Sequence, residues 1–255
     1  EAFYYCGNLK DVNLPENVEL ADNEIFHACY QLPMICLGTK LLVWPQAQGN
    51  ITIPEGITEI ADSAFYNCRE LTGVIIPDSV TKIGSHAFEN CTSLEKVTLS
   101  DSVTEIGFAV FADCTSLKEI IIPDSVTKID SYAFENCSSL EKISLPDSVT
   151  IRDNTFSDCT SLTSVTIPNS VIEIRLSAFE NCINLKSVNI PDSVTFIGND
   201  AFAGCTSLKE IIIPDSVTKI GKTTFAGCTN LTNLTIPNSV EYIDSSDDFF
   251  LDFFD

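Results

Sequence analysis

Cysteine is the residue of this chain with the most chemistry to offer. There are 11 cysteines, and eight of them (Cys68, Cys91, Cys114, Cys137, Cys159, Cys182, Cys205 and Cys228) are spaced by 23 residues, with one step of 22. Each follows a phenylalanine by three residues and precedes a leucine by three. Cys6 and Cys29 hold the same position of the pattern, and Cys36 stands apart. Zinc sites take close pairs such as C-x2-C, and this spacing provides none. Neighbours in such a column can come near enough for a disulfide, but stacked side chains point alike rather than toward each other. The periodicity favours a third reading, buried free thiols acting as small hydrophobes. Cys36 is then the candidate for a reactive thiol.

Carboxylates and histidines offer less. Asp78, Asp101, Asp124, Asp147, Asp192 and Asp215 recur after the repeat proline or its Ser100 equivalent, and a calcium ladder is one reading of them. Calcium takes six to eight oxygens, whereas each unit supplies one carboxylate here. An aspartate that closes a turn through its own side chain accounts for the residue type as well. The two histidines, His27 and His86, sit at different points of the pattern with no nucleophile motif beside them. No glycine-rich phosphate loop, G-x-S-x-G or H-E-x-x-H string occurs. We therefore expect no enzyme activity, no cofactor and no metal. The formal net charge of −22 repels phosphate backbones and anionic lipid, so nucleic acid is not an expected partner. No apolar run is long enough to span a bilayer, and no membrane insertion is expected.

The elements that would position these residues follow from the spacing. In the unit that starts at Pro77, Leu94, Val97 and Leu99 are apolar with polar residues between them, and the last pair alternates as a one-sided strand requires. Val80 and Ile83 mark a second short extended stretch. Ala87–Cys91 is too short for a stable helix and reads as one helical or 3₁₀ turn. One unit cannot bury its apolar face alone, whereas stacked copies bury it between them. Strands of successive units then pair in parallel about 4.8 Å apart, and eight coils make a body roughly 40 Å long with one continuous core.

The pattern Ala-Phe-x-x-Cys-x-x-Leu-x-x-Ile-x-Ile-Pro-x-x-Val-x-x-Ile resembles the leucine-rich repeats of the BspA-like, or Treponema-type, surface proteins. The resemblance runs from position 2 to about 243. Residues 38–45 (Gly-Thr-Lys-Leu-Leu-Val-Trp-Pro), leading into Ile51–Pro54, look like the family's interposed repeat. It implies a leucine-rich repeat solenoid, a right-handed superhelix of 23-residue repeats. One parallel β-sheet would form the concave face, with short helical or 3₁₀ turns and loops on the convex side. It also implies a bacterial or protist protein of the cell surface, used for adhesion to host or neighbouring-cell molecules, with no catalytic residues. We expect one solenoid domain over residues 1–243, irregular at about 33–53, and a C-terminal cap or acidic-aromatic tail over 244–255. The chain opens in mid-repeat, so a piece of a longer secreted or surface protein is expected, with its signal and anchor elsewhere.

Neighbouring units are not equivalent. Phe-Glu-Asn-Cys at 88–91, 134–137 and 179–182 alternates with Phe-Ala-Asp-Cys at 111–114 and Phe-Ser-Asp-Cys at 156–159. Glu95-Lys96, Lys118-Glu119 and Glu141-Lys142 alternate too, placing opposite charges side by side across parallel strands. A two-repeat unit is the expected block of duplication. The outward residues of the sheet, Ile75, Lys96, Thr98, Glu119, Ile121, Lys142, Ser144, Glu210 and Ile212, are the candidate partner-binding surface. Trp44 in the irregular insert is a further candidate. The partner class is an extracellular protein or glycan, and a monomer is the expected state. The alternative is a structural spacer that displays other domains of a larger surface protein.

Overall fold

The computed structural model describes residues 2–15, 18–20 and 25–245. Its first two strands, β1 (Ile35–Leu37) and β2 (Lys40–Val43), form an antiparallel hairpin. Every coil after it carries two strands. The longer ones are β3 (Gly49–Thr52), β5 (Leu71–Ile75), β7 (Lys96–Thr98), β9 (Glu119–Ile121), β11 (Lys142–Ser144), β13 (Ser164–Thr166), β15 (Ser187–Asn189), β17 (Glu210–Ile212) and β19 (Asn233–Thr235). The shorter ones are β4 (Glu59–Ile60), β6 (Lys82–Ile83), β8 (Glu105–Ile106), β10 (Lys128–Ile129), β12 (Thr150–Ile151), β14 (Glu173–Ile174), β16 (Phe196–Ile197), β18 (Lys219–Ile220) and β20 (Tyr242–Ile243). The result is a solenoid with two parallel ladders, where the spacing predicts one sheet and a second extended stretch.

The expected helical turn is absent. Residues 87–91 and their equivalents form turns without helix, because two residues per coil, four positions apart, have positive φ: Ser63 and Asn67, His86 and Asn90, Ala109 and Asp113, Tyr132 and Asn136. A helix needs negative φ throughout. The turns instead send alternate N–H groups to the next coil, as in Phe65 N to Ala87 O (2.8 Å) and Phe88 N to Val110 O (2.9 Å). Backbone donors are thus satisfied between coils, which a helix would prevent.

Side chains inside the coils stack in columns. Phe65, Phe88, Phe111, Phe134, Phe156, Phe179, Phe202 and Phe225 run parallel, with successive centroids 4.8–5.9 Å apart and interplanar angles of 4–16°. That is offset-stacking geometry. The 22-residue unit does not interrupt this column, since Phe134 and Phe156 are 5.6 Å apart. The core is divided, however. A small cluster around Ile25, Phe26, Cys29, Leu32, Leu42 and Val43 is separate from the main one, which runs from Leu41 to Ile220. The hairpin of the irregular insert lies at the joint. The expected C-terminal cap falls outside the described residues from position 246 onward.

Candidate functional site

The outward face of the longer ladder brings the expected candidates together. Lys96, Thr98, Glu119, Lys142, Ser144 and Glu210 are exposed, and Ile75, Ile121 and Ile212 are exposed by 49%, 74% and 81%. Their inward neighbours Val74, Val97, Ile120, Val165 and Ile211 are buried, as period-two alternation requires. Gly73 belongs to the same outward row but is covered by the Asn50 side chain.

From β5 onward, pairing within this ladder has a two-coil period. Strands β5 and β7, β9 and β11, β13 and β15, and β17 and β19 each pair over three positions, while β5 also pairs with β3, of the irregular first coil, at four positions. Between those pairs the ladder thins: β7 meets β9 only at Lys96 and Glu119, and β11–β13 and β15–β17 are not hydrogen-bonded neighbours. Outward Ile75, Ile121 and Ile212 all stand on the first strand of a pair, opposite Thr98, Ser144 and Thr235 on the second. Thr166 replaces isoleucine in the remaining pair. Outward isoleucine therefore recurs on every second strand from β5 to β17 except at Thr166, and in the middle of the stack the Glu-Lys and Asn-Asp alternations have the same two-coil step.

Two shallow depressions mark the face. One of about 470 Å³ is lined by Glu119, Ile121, Lys142, Ser144, Ser164 and Thr166. The other, of about 280 Å³, is lined by Asn50, Thr52, Gly73, Ile75, Lys96 and Thr98. Each holds one exposed isoleucine, one lysine and one hydroxyl from the next coil. Neither Lys96 nor Lys142 forms an ion pair among the described residues, whereas Lys118 reaches Glu95 at 3.4 Å on the flank.

Trp44 is not part of that surface. It is half-buried, its ring lies 5.9 Å from Phe65 at the head of the phenylalanine column, and its carbonyl accepts a hydrogen bond from Cys68 Sγ at 3.3 Å. The shorter ladder carries its own charges. Glu59 lies between Lys40 (3.0 Å) and Lys82 (3.1 Å). Burial acts to raise the pKa of this carboxyl, but the two lysines outweigh it and hold the group below its ordinary range.

The cysteine column is inward and free of disulfides among the described residues. Cys6, in the first coil, is exposed and departs from the expected burial. From Cys91 to Cys228 each column thiol donates to the phenylalanine carbonyl of the preceding coil, as in Cys91 to Phe65 (3.1 Å), Cys114 to Phe88 (3.3 Å), Cys137 to Phe111 (3.2 Å) and Cys182 to Phe156 (3.2 Å). Burial pushes their pKa values up, that of Cys205 to about 12. Such thiols are inert at neutral pH. Cys36 is exposed on β1, but partial burial of its sulfur raises its pKa as well, which argues against special reactivity. The aspartates after proline are exposed, and among the described residues no group of three His, Cys, Asp or Glu side chains is placed to hold a metal ion. Among the same residues no helix is long and apolar enough to cross a membrane.

One network escaped the sequence reading. Asn90 donates to Asn67 (2.8 Å), Asn136 to Asp113 (2.7 Å) and Asn181 to Asp158 (3.1 Å). The Asn-Asp alternation before cysteine is thus a hydrogen-bond pairing between coils, which avoids facing two carboxylates. The signal was present: Asn67, Asn90, Asp113, Asn136, Asp158, Asn181, Gly204 and Gly227 are the residue types that tolerate positive φ, and all eight adopt it.

Comparison with known proteins agrees with this architecture. The model of the BspA type leucine rich repeat region matches in six copies, over residues 1–47, 45–160 and 149–250. A leucine-rich repeat protein from Bacteroides ovatus is 35% identical with a TM-score of 0.63, over 80% of this chain and 62% of that one. The T. pallidum leucine-rich repeat protein is also 35% identical, with a TM-score of 0.60 over 65% of this chain and 86% of its own. The chain thus spans less than two thirds of the Bacteroides ovatus structure. No curated protein matches the sequence.

Proposed function

The chain belongs to the BspA-type leucine-rich repeat family, and from that premise we propose that it is a non-catalytic binding module of a secreted or cell-surface protein. It recognises a protein or glycan of a host or neighbouring cell through the outward face of the longer ladder. The observation that carries this reading is the row of strongly exposed isoleucines that recurs on alternate strands of a regular sheet. Ile121 and Ile212 are exposed by 74% and 81%, far beyond what packing needs. Large aliphatic side chains held this far out of the core at regular intervals offer apolar contacts to a ligand laid across the strands. The face holds no tryptophan, tyrosine or arginine, the usual anchors of tight interfaces, so contact is spread over many repeats.

The test is a binding screen against extracellular-matrix proteins, plasma proteins and glycans at physiological salt. A saturable hit is expected, and it should be lost in the double variant Ile121→Lys, Ile212→Lys, with the circular dichroism spectrum unchanged. A hit indifferent to that variant moves the binding surface elsewhere. A blank from folded, monodisperse protein favours the spacer.

A further inference from the structure

The two-coil period of the face restricts what can lie along it. At the usual strand spacing two coils advance about 9.6 Å. An extended β-strand presents the same face every two residues, about 6.8 Å, and falls out of step at once. A polyproline II chain presents the same side every three residues, about 9.3 Å per turn. It keeps step with the coils over several turns.

Chemistry agrees with the period. Polyproline II has no internal hydrogen bonds, so its carbonyls seek donors. Lys96 and Thr98 in one depression, and Lys142 and Ser144 in the next, present ammonium and hydroxyl donors beside Ile75 and Ile121. The long-range field is acidic, since the chain carries −22 overall, while on the face itself Lys96 and Lys142 are balanced by Glu119 and Glu210. A polyanion is repelled by that field, and a basic chain is attracted.

Building on the binding-module reading above, we propose that the face takes a proline-rich, basic polypeptide in polyproline II conformation, lying along the stack. A side chain at every third residue rests on the isoleucine of every second coil. The registers are Ile75 and Ile121, then Thr166, where the apolar contact is lost, then Ile212. Among the described residues the face carries no aromatic groove, so each turn contributes little and affinity grows with the number of turns engaged.

Isothermal titration of the whole 255-residue chain with three synthetic peptides tests this. The peptides share length and composition, being proline-rich with lysine, and place leucine at every second, third or fourth position. The third-position peptide should bind at least about tenfold more tightly than the others, as loss of one buried aliphatic contact per turn implies. Ile75→Asn and Ile121→Asn should each weaken it by about tenfold on the same grounds. Ile172→Asn, at a 60% exposed site off this ladder, should leave it unchanged. Equal affinity for the three spacings, no binding of any, or indifference to both isoleucine variants overturns the proposal. If the peptides fail while the matrix and glycan screen gives an Ile121-dependent hit, the proposal falls and the binding module stands. If both fail, both fall.

Discussion

The Phe111 carbonyl accepts two hydrogen bonds, one from the Cys114 N–H of its own turn (3.1 Å) and one from Cys137 Sγ of the next coil (3.2 Å). Both lone pairs are used, so the cysteine column is a donor ladder as well as filler, which apolar periodicity alone does not reveal. The sequence marks these residues as inward and thiol-bearing; the partner of each sulfur depends on a turn carbonyl whose second lone pair faces the next coil. Alkylation of the native chain should therefore modify Cys6 and Cys36 and spare Cys91, Cys114, Cys137, Cys159, Cys182 and Cys205, read by peptide mass spectrometry. Rapid labelling within the column in folded protein would contradict its burial. A second prediction concerns Glu135. Partial burial raises its pKa, and Asp113, Asp158 and Glu89 push it further the same way. A group with a raised folded-state pKa contributes most below its unfolded value and loses that contribution as pH rises. Glu135→Gln should then raise the melting temperature at pH 7, and the gain should vanish below about pH 4, near the unfolded glutamate pKa.

At the scale of the element, strands were legible and turns were not. Leu94, Val97 and Leu99 announce a strand by period two, and β7 (Lys96–Thr98) lies where they place it. Ala87–Cys91 carried no comparable signal, because a five-residue stretch with an inward Phe and Cys fits a helical turn as well as an irregular one. The discriminating clue was the Asn, Asp or Gly before every cysteine of the array from Cys68 to Cys228, a backbone requirement rather than a hydrophobic one. Asn136 has φ of 53° and bonds Asp113 at 2.7 Å. Asn136→Val places a β-branched residue in the left-handed region and removes that bond. It should cost about 2 kcal/mol or more in denaturant unfolding. Asn136→Gly, the residue type of Gly204 and Gly227, should cost less, because only the hydrogen bond is lost. Equal losses would mean that the backbone conformation is not what selects asparagine. The candidate face was legible residue by residue, because alternation fixes which side chains point outward. The surroundings of Trp44 were not legible for a physical reason: its place at the head of the phenylalanine column depends on how the irregular insert joins the array, and no period describes that joint.

At the scale of the whole molecule, the residues before cysteine alternate between neighbouring coils from Cys91 to Cys182, so a deletion there changes phase as well as length. A stack of repeats is stabilised by each coil and by each contact between neighbours, so losing more coils normally costs more. Here the neighbour contact depends on phase. Removing residues 100–122, one coil, sets Glu95 beside Glu141, Lys96 beside Lys142 and Asn90 beside Asn136, so two like-charge contacts arise and an Asn-Asp pair is lost. Like charges directly opposite across strands are destabilising. Removing residues 100–145, two coils, sets Asn90 beside Asp158 and Glu95 beside Thr163, so an Asn-Asp pair forms and neither like-charge contact arises. The phenylalanine column closes up in both cases, because every coil carries the same inward residue. The shorter, two-coil deletion product should therefore melt at a temperature equal to or above that of the one-coil product, measured by circular dichroism at low salt. Raising the salt should narrow the difference, since the like-charge part is screened. If the one-coil product is clearly the more stable at low salt, coil number rather than phase sets the cohesion of the stack, and the alternation in sequence has to be assigned to the surface it presents.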